Sequence, residues 1–130
     1  MNTMSAEQMV GILHNTTVAL VRRPGPDLTA RQLAMFLSCY LEATPQTVRG
    51  LAAHLRVSKP AVTRAVDRLA EFDLIRRKRD PADRRSVQMV RTLKGNAFLR
   101  DLTKIMGEAA VATSEKPGAA RRSSRAQDAA

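Results

Sequence analysis

Apolar residues recur at helical spacing over four consecutive stretches of the chain, then switch to an extended pattern, then return to helical spacing once more. In the first stretch, 5–22, Met9, Ile12, Leu13, Thr16 and Leu20 form one stripe, while Val10, Val18 and Val21 fall off it. A helix that is apolar over more than one face needs more than one packing partner. Ser5 and Gln8 have capping-box spacing, with Met4 and Met9 as the staple around them, and "PGP" at 24–26 ends the helix. Thr29 and Gln32 open a second helix in the same way, stapled by Leu28 and Leu33, and Leu33, Phe36, Leu37, Tyr40 and Leu41 lie on one face. Pro45 disfavours its continuation. A third, short helix runs from Thr47 to about Leu55, followed by a tight turn and a fourth from Ser58 to about Phe72. Ser58 caps the fourth, and Lys59 and Pro60 fall in its first turn, where a missing backbone N–H costs nothing.

On a 100° wheel, Ala61, Val62, Ala65, Val66, Leu69 and Phe72 fall in one arc of this fourth helix. Lys59, Pro60, Thr63, Arg64 and Asp67 fall opposite, with Arg68 at the border. The helix thus has a dry face and a face rich in donors and positive charge. Then "DLIRRKRDPADRRSVQMVR" reads as a two-stranded hairpin: Leu74 and Ile75 begin it, "DPAD" is turn chemistry, and Val87, Met89 and Val90 lie on the return. Thr92 caps a last helix whose apolar face is Ala97, Phe98, Leu102, Ile105 and Met106. The order helix, helix, tight turn, helix, hairpin, helix predicts a mainly α fold with a small β-wing, a winged helix-turn-helix. We divide the chain into an N-terminal helix at 1–26 suited to dimerisation, a winged helix-turn-helix at 27–112, and a disordered basic tail at 113–130.

Charge sharpens this picture. The 130 residues carry 22 Lys and Arg against 12 Asp and Glu, a net charge of +10, which favours nucleic acid as partner. Ten basic and five acidic residues fall within 58–91, so the surplus concentrates on the fourth helix and the wing. The candidate contacts to double-stranded DNA are Ser58, Lys59, Pro60, Thr63, Arg64 and Arg68 from the helix and Arg77, Arg84 and Arg85 from the wing. Such helices enter the major groove by their N-terminal half. Arg64 suits a guanine edge or a phosphate. Ser58, Thr63 and the first-turn N–H groups suit phosphate. Arg84 and Arg85 at the wing tip suit a minor groove. Asp80 and Asp83 are expected to form the turn and to hold neighbouring arginines in one orientation. An amphipathic surface helix would explain the stripe equally well, but not the adjoining turn and wing. Two other readings remain open: a chromosome-associated binder of low sequence preference, and a winged-helix module that contacts protein.

Several stretches carry a further resemblance: "LTARQLAMF", "TVRGLAAHLRVSKPAVTRAVDRLAEFDLIRRKRDPADRRS" and "TLKG" at 92–95. Together they resemble the MarR family of bacterial transcriptional regulators over most of 28–106. The resemblance implies a cytoplasmic, nucleoid-associated homodimer that binds pseudo-palindromic operators and loses DNA on binding a small anionic or phenolic effector. The chain departs from the family at Asp73, where a Gly is usual between recognition helix and wing, and on the return strand at Arg91, where an apolar residue is usual before the Thr, with Gln88 and Val90 also off-pattern. Asp tolerates the left-handed backbone better than most residues, but Arg91 leaves the strand register open. The last helix is expected to stop near Val111, which shifts more of any dimer interface onto 5–22.

Other chemistry finds little support. His14 and His54 have no Cys, His or acidic neighbours at metal-ligand spacing, and no phosphate-cradling or nucleophile-elbow motif occurs. We expect no enzyme, no metal and no cofactor. Cys39 lies in the apolar "FLSCYLE", which suits a buried thiol better than a redox sensor, and a single cysteine allows no disulfide within the chain. No apolar run reaches the ~18 residues of a membrane span, and the N-terminus has no signal-peptide pattern.

Overall fold

The structure, a computed structural model, describes residues 3–115. Its elements are α1 (Ala6–Arg22), α2 (Ala30–Leu41), α3 (Val48–Leu55), α4 (Lys59–Glu71), β1 (Ile75–Arg79), β2 (Val87–Arg91) and α5 (Leu93–Glu115). This is the winged helix-turn-helix order. Both capping boxes form: Ser5 with Gln8 on α1 and Thr29 with Gln32 on α2, each side chain bonding the other residue's backbone N–H. Thr47 and Ser58 cap α3 and α4 through the N–H groups of Gly50 and Ala61. Four of the five helix starts are therefore held by short polar side chains at the expected positions, and Thr92 holds the fifth by accepting from the Gly95 N–H at 2.8 Å.

Two compact units result, one of residues 26–99 and one that joins 1–25 to the distal part of α5 from Arg100 onward. The core of the first unit comes from α2 (Met35, Phe36, Cys39, Tyr40), α3 (Leu51), the dry arc of α4, and Leu74, Ile75, Met89 and Phe98. Three of the chain's four aromatic rings meet there. Phe36 stacks on Tyr40 at 4.3 Å between centroids and takes Phe98 edge-on at 5.1 Å. The α4 wheel is obeyed: Ala61, Val62, Ala65, Val66 and Leu69 are buried. The α2 face is rotated from the expected one. Met35 and Cys39 join Phe36 and Tyr40 inside, while Leu41 is 68% exposed. The aromatic pair sets the inward direction, and the smaller Met35 and Cys39 fill the space beside it.

The wing is an antiparallel pair with Ile75 opposite Arg91, Arg77 opposite Met89 and Arg79 opposite Val87. Side chains alternate, so Ile75, Arg77 and Arg79 share the face of buried Met89. A short third partner escaped the sequence reading. Gln46 accepts a hydrogen bond from the Met89 N–H at 2.8 Å, and Thr47 bridges Gln88, so the segment before α3 pairs with β2.

The departures at Asp73 and Arg91 have a structural answer. Asp73 takes the left-handed conformation (φ 58°), and the Leu74 N–H closes the helix end onto the Leu69 carbonyl. Arg91 caps a different helix. Its guanidinium donates to the Cys39 and Glu42 carbonyls, each at 2.9 Å, at the C-terminal end of α2, where a cation is favoured. A polar residue at this strand position therefore keeps the register.

In the second unit, α1 and the distal α5 run antiparallel. Arg23 pairs with Asp101 at 3.0 Å at one end, and a Cβ built on Gly11 would stand 3.6 Å from the Thr113 side chain at the other. The α5 helix continues to Glu115, four residues beyond the expected stop, because α1 supports it where the local apolar rhythm has already faded. Of the expected tail, 116–130 lies outside the described residues. Among the described residues, no helix is long and apolar enough to cross a membrane.

Candidate nucleic-acid interface

The α3–turn–α4 segment is built by two residues of special backbone. Arg56 takes a left-handed conformation (φ 55°), which lets the Val57 N–H return to the Ala52 carbonyl and sends the chain sharply into α4. Ser58 then caps α4 with its Oγ accepting from the Ala61 N–H at 3.2 Å. That bond uses a lone pair only, so the Ser58 hydroxyl proton remains available to an outside acceptor. Pro60 occupies the first turn without loss of a helix bond. Lys59, Thr63 and Arg64 are exposed on the arc opposite the core.

The wing tip folds back on itself. Asp80 accepts from the Ala82 N–H at 2.9 Å and Asp83 from the Arg85 N–H at 3.1 Å, while the Asp80 N–H reaches Ser86 and the Ser86 N–H reaches Asp83. Both aspartates are turn formers, as expected. Neither holds an arginine, which corrects the second role expected of them: each short carboxylate is taken up by an amide two residues along its own turn. Among the described residues, the side chains of Arg64, Arg84 and Arg85 have no hydrogen bond and no ion pair.

A cleft of about 270 Å³ joins these parts. It is lined by Thr47 and Arg49 of the α3 start, Lys59 and Thr63 of α4, and Asp83, Arg85 and Ser86 of the wing. Three elements thus bring three cations and three hydroxyls to one concave site that holds one carboxylate. Arg49 was not among the expected contacts. Its signal in the sequence was its place on the polar side of the helix that precedes the turn, the helix that crosses the nucleic-acid backbone in such motifs.

Two of the expected contacts are engaged inside the protein. Arg68 donates to Glu71 at 2.7 Å and lies over the Phe72 ring at 4.8 Å. Arg77 donates to the Asp67 carboxylate. Arg84 stands exposed at the tip and does not line the cleft. Cys39 is buried, and burial pushes its thiol up from 9.0 to about 11 against the opposing pull of Arg91. A thiol so placed stays protonated near neutrality and is a poor nucleophile. No cluster of metal-ligating side chains occurs among the described residues.

Residues 28–87 match the model of the MarR family. Solved structures share the fold across nearly the whole chain. The transcriptional regulator Tm0710 from Thermotoga maritima is 26% identical, with a TM-score of 0.66 over 94% of this chain and 82% of that one. RV1404 from Mycobacterium tuberculosis is 24% identical, with a TM-score of 0.69 over 95% and 85%. A MarR transcriptional regulator from Methanosarcina mazei Go1 is 22% identical, with a TM-score of 0.59 over 93% and 84%. No curated protein sequence matches significantly.

Proposed function

We propose that the chain is a DNA-binding transcriptional regulator that reads duplex DNA through α4 and the wing, a reading supported by the match of residues 28–87 to the MarR-family model. One observation carries this reading: Arg49 of α3, Lys59 of α4 and Arg85 of the wing converge on a single cleft, while the carboxylates nearby are spent on turns or on other arginines. A polyanion of regular spacing suits such a surface. In this reading α4 lies in the major groove with Lys59, Pro60, Thr63 and Arg64 toward it. Arg64 meets a base edge, Ser58, Lys59 and Arg49 hold phosphates, and Arg84 and Arg85 grip the flanking backbone and minor groove.

The assembly we propose is a homodimer. Met9, Val10, Leu13 and Val21 of α1 are 55–67% exposed, and Met106 and Val111 of α5 are 45% and 56% exposed in the same unit. Such an apolar surface suits a second copy of the chain, which would present two α4 helices to a two-fold operator. The family resemblance extends the reading to a cytoplasmic, nucleoid-bound regulator without enzymatic activity, released by a small anionic or phenolic effector.

The test is a fluorescence-anisotropy titration with a duplex from upstream of the protein's own gene and a scrambled duplex, at two salt concentrations. The regulator reading expects tighter binding to the first by ~1000-fold or more. Equal, steeply salt-dependent binding to both would favour a binder of low specificity. No binding to either would favour a protein-contacting module.

A further inference from the structure

Asp67 is out of place for a DNA-facing helix. It lies one turn beyond Thr63, in the row that begins with Lys59, so it points to the same side as the cations. A bare carboxylate there would repel phosphate. It is not bare, because the Arg77 Nη1 donates to its Oδ1. Arg77 comes from the third position of β1, directly opposite buried Met89, and therefore leaves the inner face of the hairpin. Its stem lines a groove with Val48, Thr63 and Val66, so it runs along α3 and α4 rather than outward. This is the only side-chain hydrogen bond between α4 and the hairpin among the described residues; the Leu74 N–H joins the two by backbone at the root. Of the apolar anchors of the hairpin, Ile75 sits at its base and Met89 at the level of Arg77. Nothing apolar is buried beyond Arg79 in the loop that carries Arg84 and Arg85.

Resting on the DNA-binding reading above, we propose that Asp67 and Arg77 form a latch that sets the wing against the recognition helix, and that Arg77 is a positioning residue and not a phosphate contact. The latch explains why a carboxylate stands on this face. It holds the wing arm at mid-height, so that Arg85 stays at the cleft with Lys59 and Thr63. It also removes one cation from the count of phosphate partners.

The two roles make opposite predictions. If Asp67 acted on DNA only by its charge, Asp67→Asn would tighten binding. As a latch, Asp67→Asn weakens it about two- to fivefold, the range of a half-exposed ion pair, with the slope of log affinity against log salt unchanged. Arg77→Ala weakens it to a similar degree, again with no change of slope, whereas a phosphate contact would lower the slope by about 0.9. Asp67→Glu, which keeps a carboxylate, restores most of the binding. We would measure these by anisotropy on the full chain over a salt series. In parallel, we would follow amide exchange of 79–86 in the free protein, where Asp67→Asn should exchange about threefold faster. Tighter binding by Asp67→Asn, a lower slope in Arg77→Ala, or unaltered wing exchange would overturn the latch. If the wild type bound no duplex, the exchange data would decide alone: faster wing exchange would keep the latch and reject only the DNA reading.

Discussion

The two ends of the hairpin obey different physics. At the base, Ile75 is fully buried and the Leu74 carbonyl accepts the Tyr40 hydroxyl. The same hydroxyl accepts the Thr92 N–H at 3.0 Å, and the Thr92 Oγ1 donates to the Asp73 carbonyl at 2.7 Å while accepting the Gly95 N–H. Every polar group of that crossing has a partner, so the wing root belongs to the core. At the tip, residues 81–85 are exposed, and only local turn bonds hold them. The difference separates support from contact. A hairpin rooted in a satisfied polar network stands at a fixed place even when its far end makes no bond to the rest of the protein. The far end is then free to carry unpaired arginines to a partner.

Substitutions at the root should cost stability, and substitutions at the tip should cost only binding. The largest effect is expected for Gly95→Ala. A Cβ there would lie 1.6 Å from the Tyr40 hydroxyl and 2.4 Å from the Leu74 carbonyl, so the root must open. We expect a loss of about 3 kcal/mol or more in denaturant unfolding, at the upper end of overpacking. Stability within 0.5 kcal/mol (roughly the noise of a surface change) would show that the root is not a single closed network. Tyr40→Phe comes next. It strands the Leu74 carbonyl and the Thr92 N–H while leaving the ring stack with Phe36, and should cost about 1–3 kcal/mol.

The double change Arg84→Ala with Arg85→Ala tests the other end. Thermal stability should stay within about 0.5 kcal/mol, while DNA affinity falls for all sequences alike and the salt slope drops by about 0.9 for each lost phosphate contact. A clear fall in melting temperature would mean that the tip also supports the fold. Arg64→Ala should instead relax sequence preference, by about 1–3 kcal/mol at one base position, in a binding-site selection. The smallest effect is expected for Asp73→Gly. Relief of the left-handed strain should stabilise the junction by about 1 kcal/mol, against the loss of an exposed ion pair with Arg76 at 3.8 Å that is worth little. A destabilised variant would mean that the Asp73 side chain does more than fit the turn.

Much of this architecture was legible locally. Ser5, Thr29, Thr47, Ser58 and Thr92 announced five helix starts, because a cap needs only a short polar side chain within three residues of its target. The α4 wheel and the "DPAD" turn were equally local. The misplacements were all cases where distant residues decided. The inward face of α2 depended on where Phe98 arrived, and the length of α5 on support from α1. The bridge at Thr47 needed β2 as a partner, and Arg91 needed the open end of α2. At the site, residue type identified the cations but not their availability. Arg64, Arg84 and Arg85 are free, Arg68 and Arg77 are paired, and Arg49 was overlooked until α3 stood beside the wing.

The sequence by itself determined where the helices begin, which side of α4 is dry, and that positive charge gathers on α4 and the wing. These follow from side-chain spacing and from caps that act over three or four residues. Only the tertiary structure decided which arginines remain unspent. A charge forty residues away in the chain, or ten, pairs or stays free according to the distance that folding gives it, and no periodicity encodes that distance.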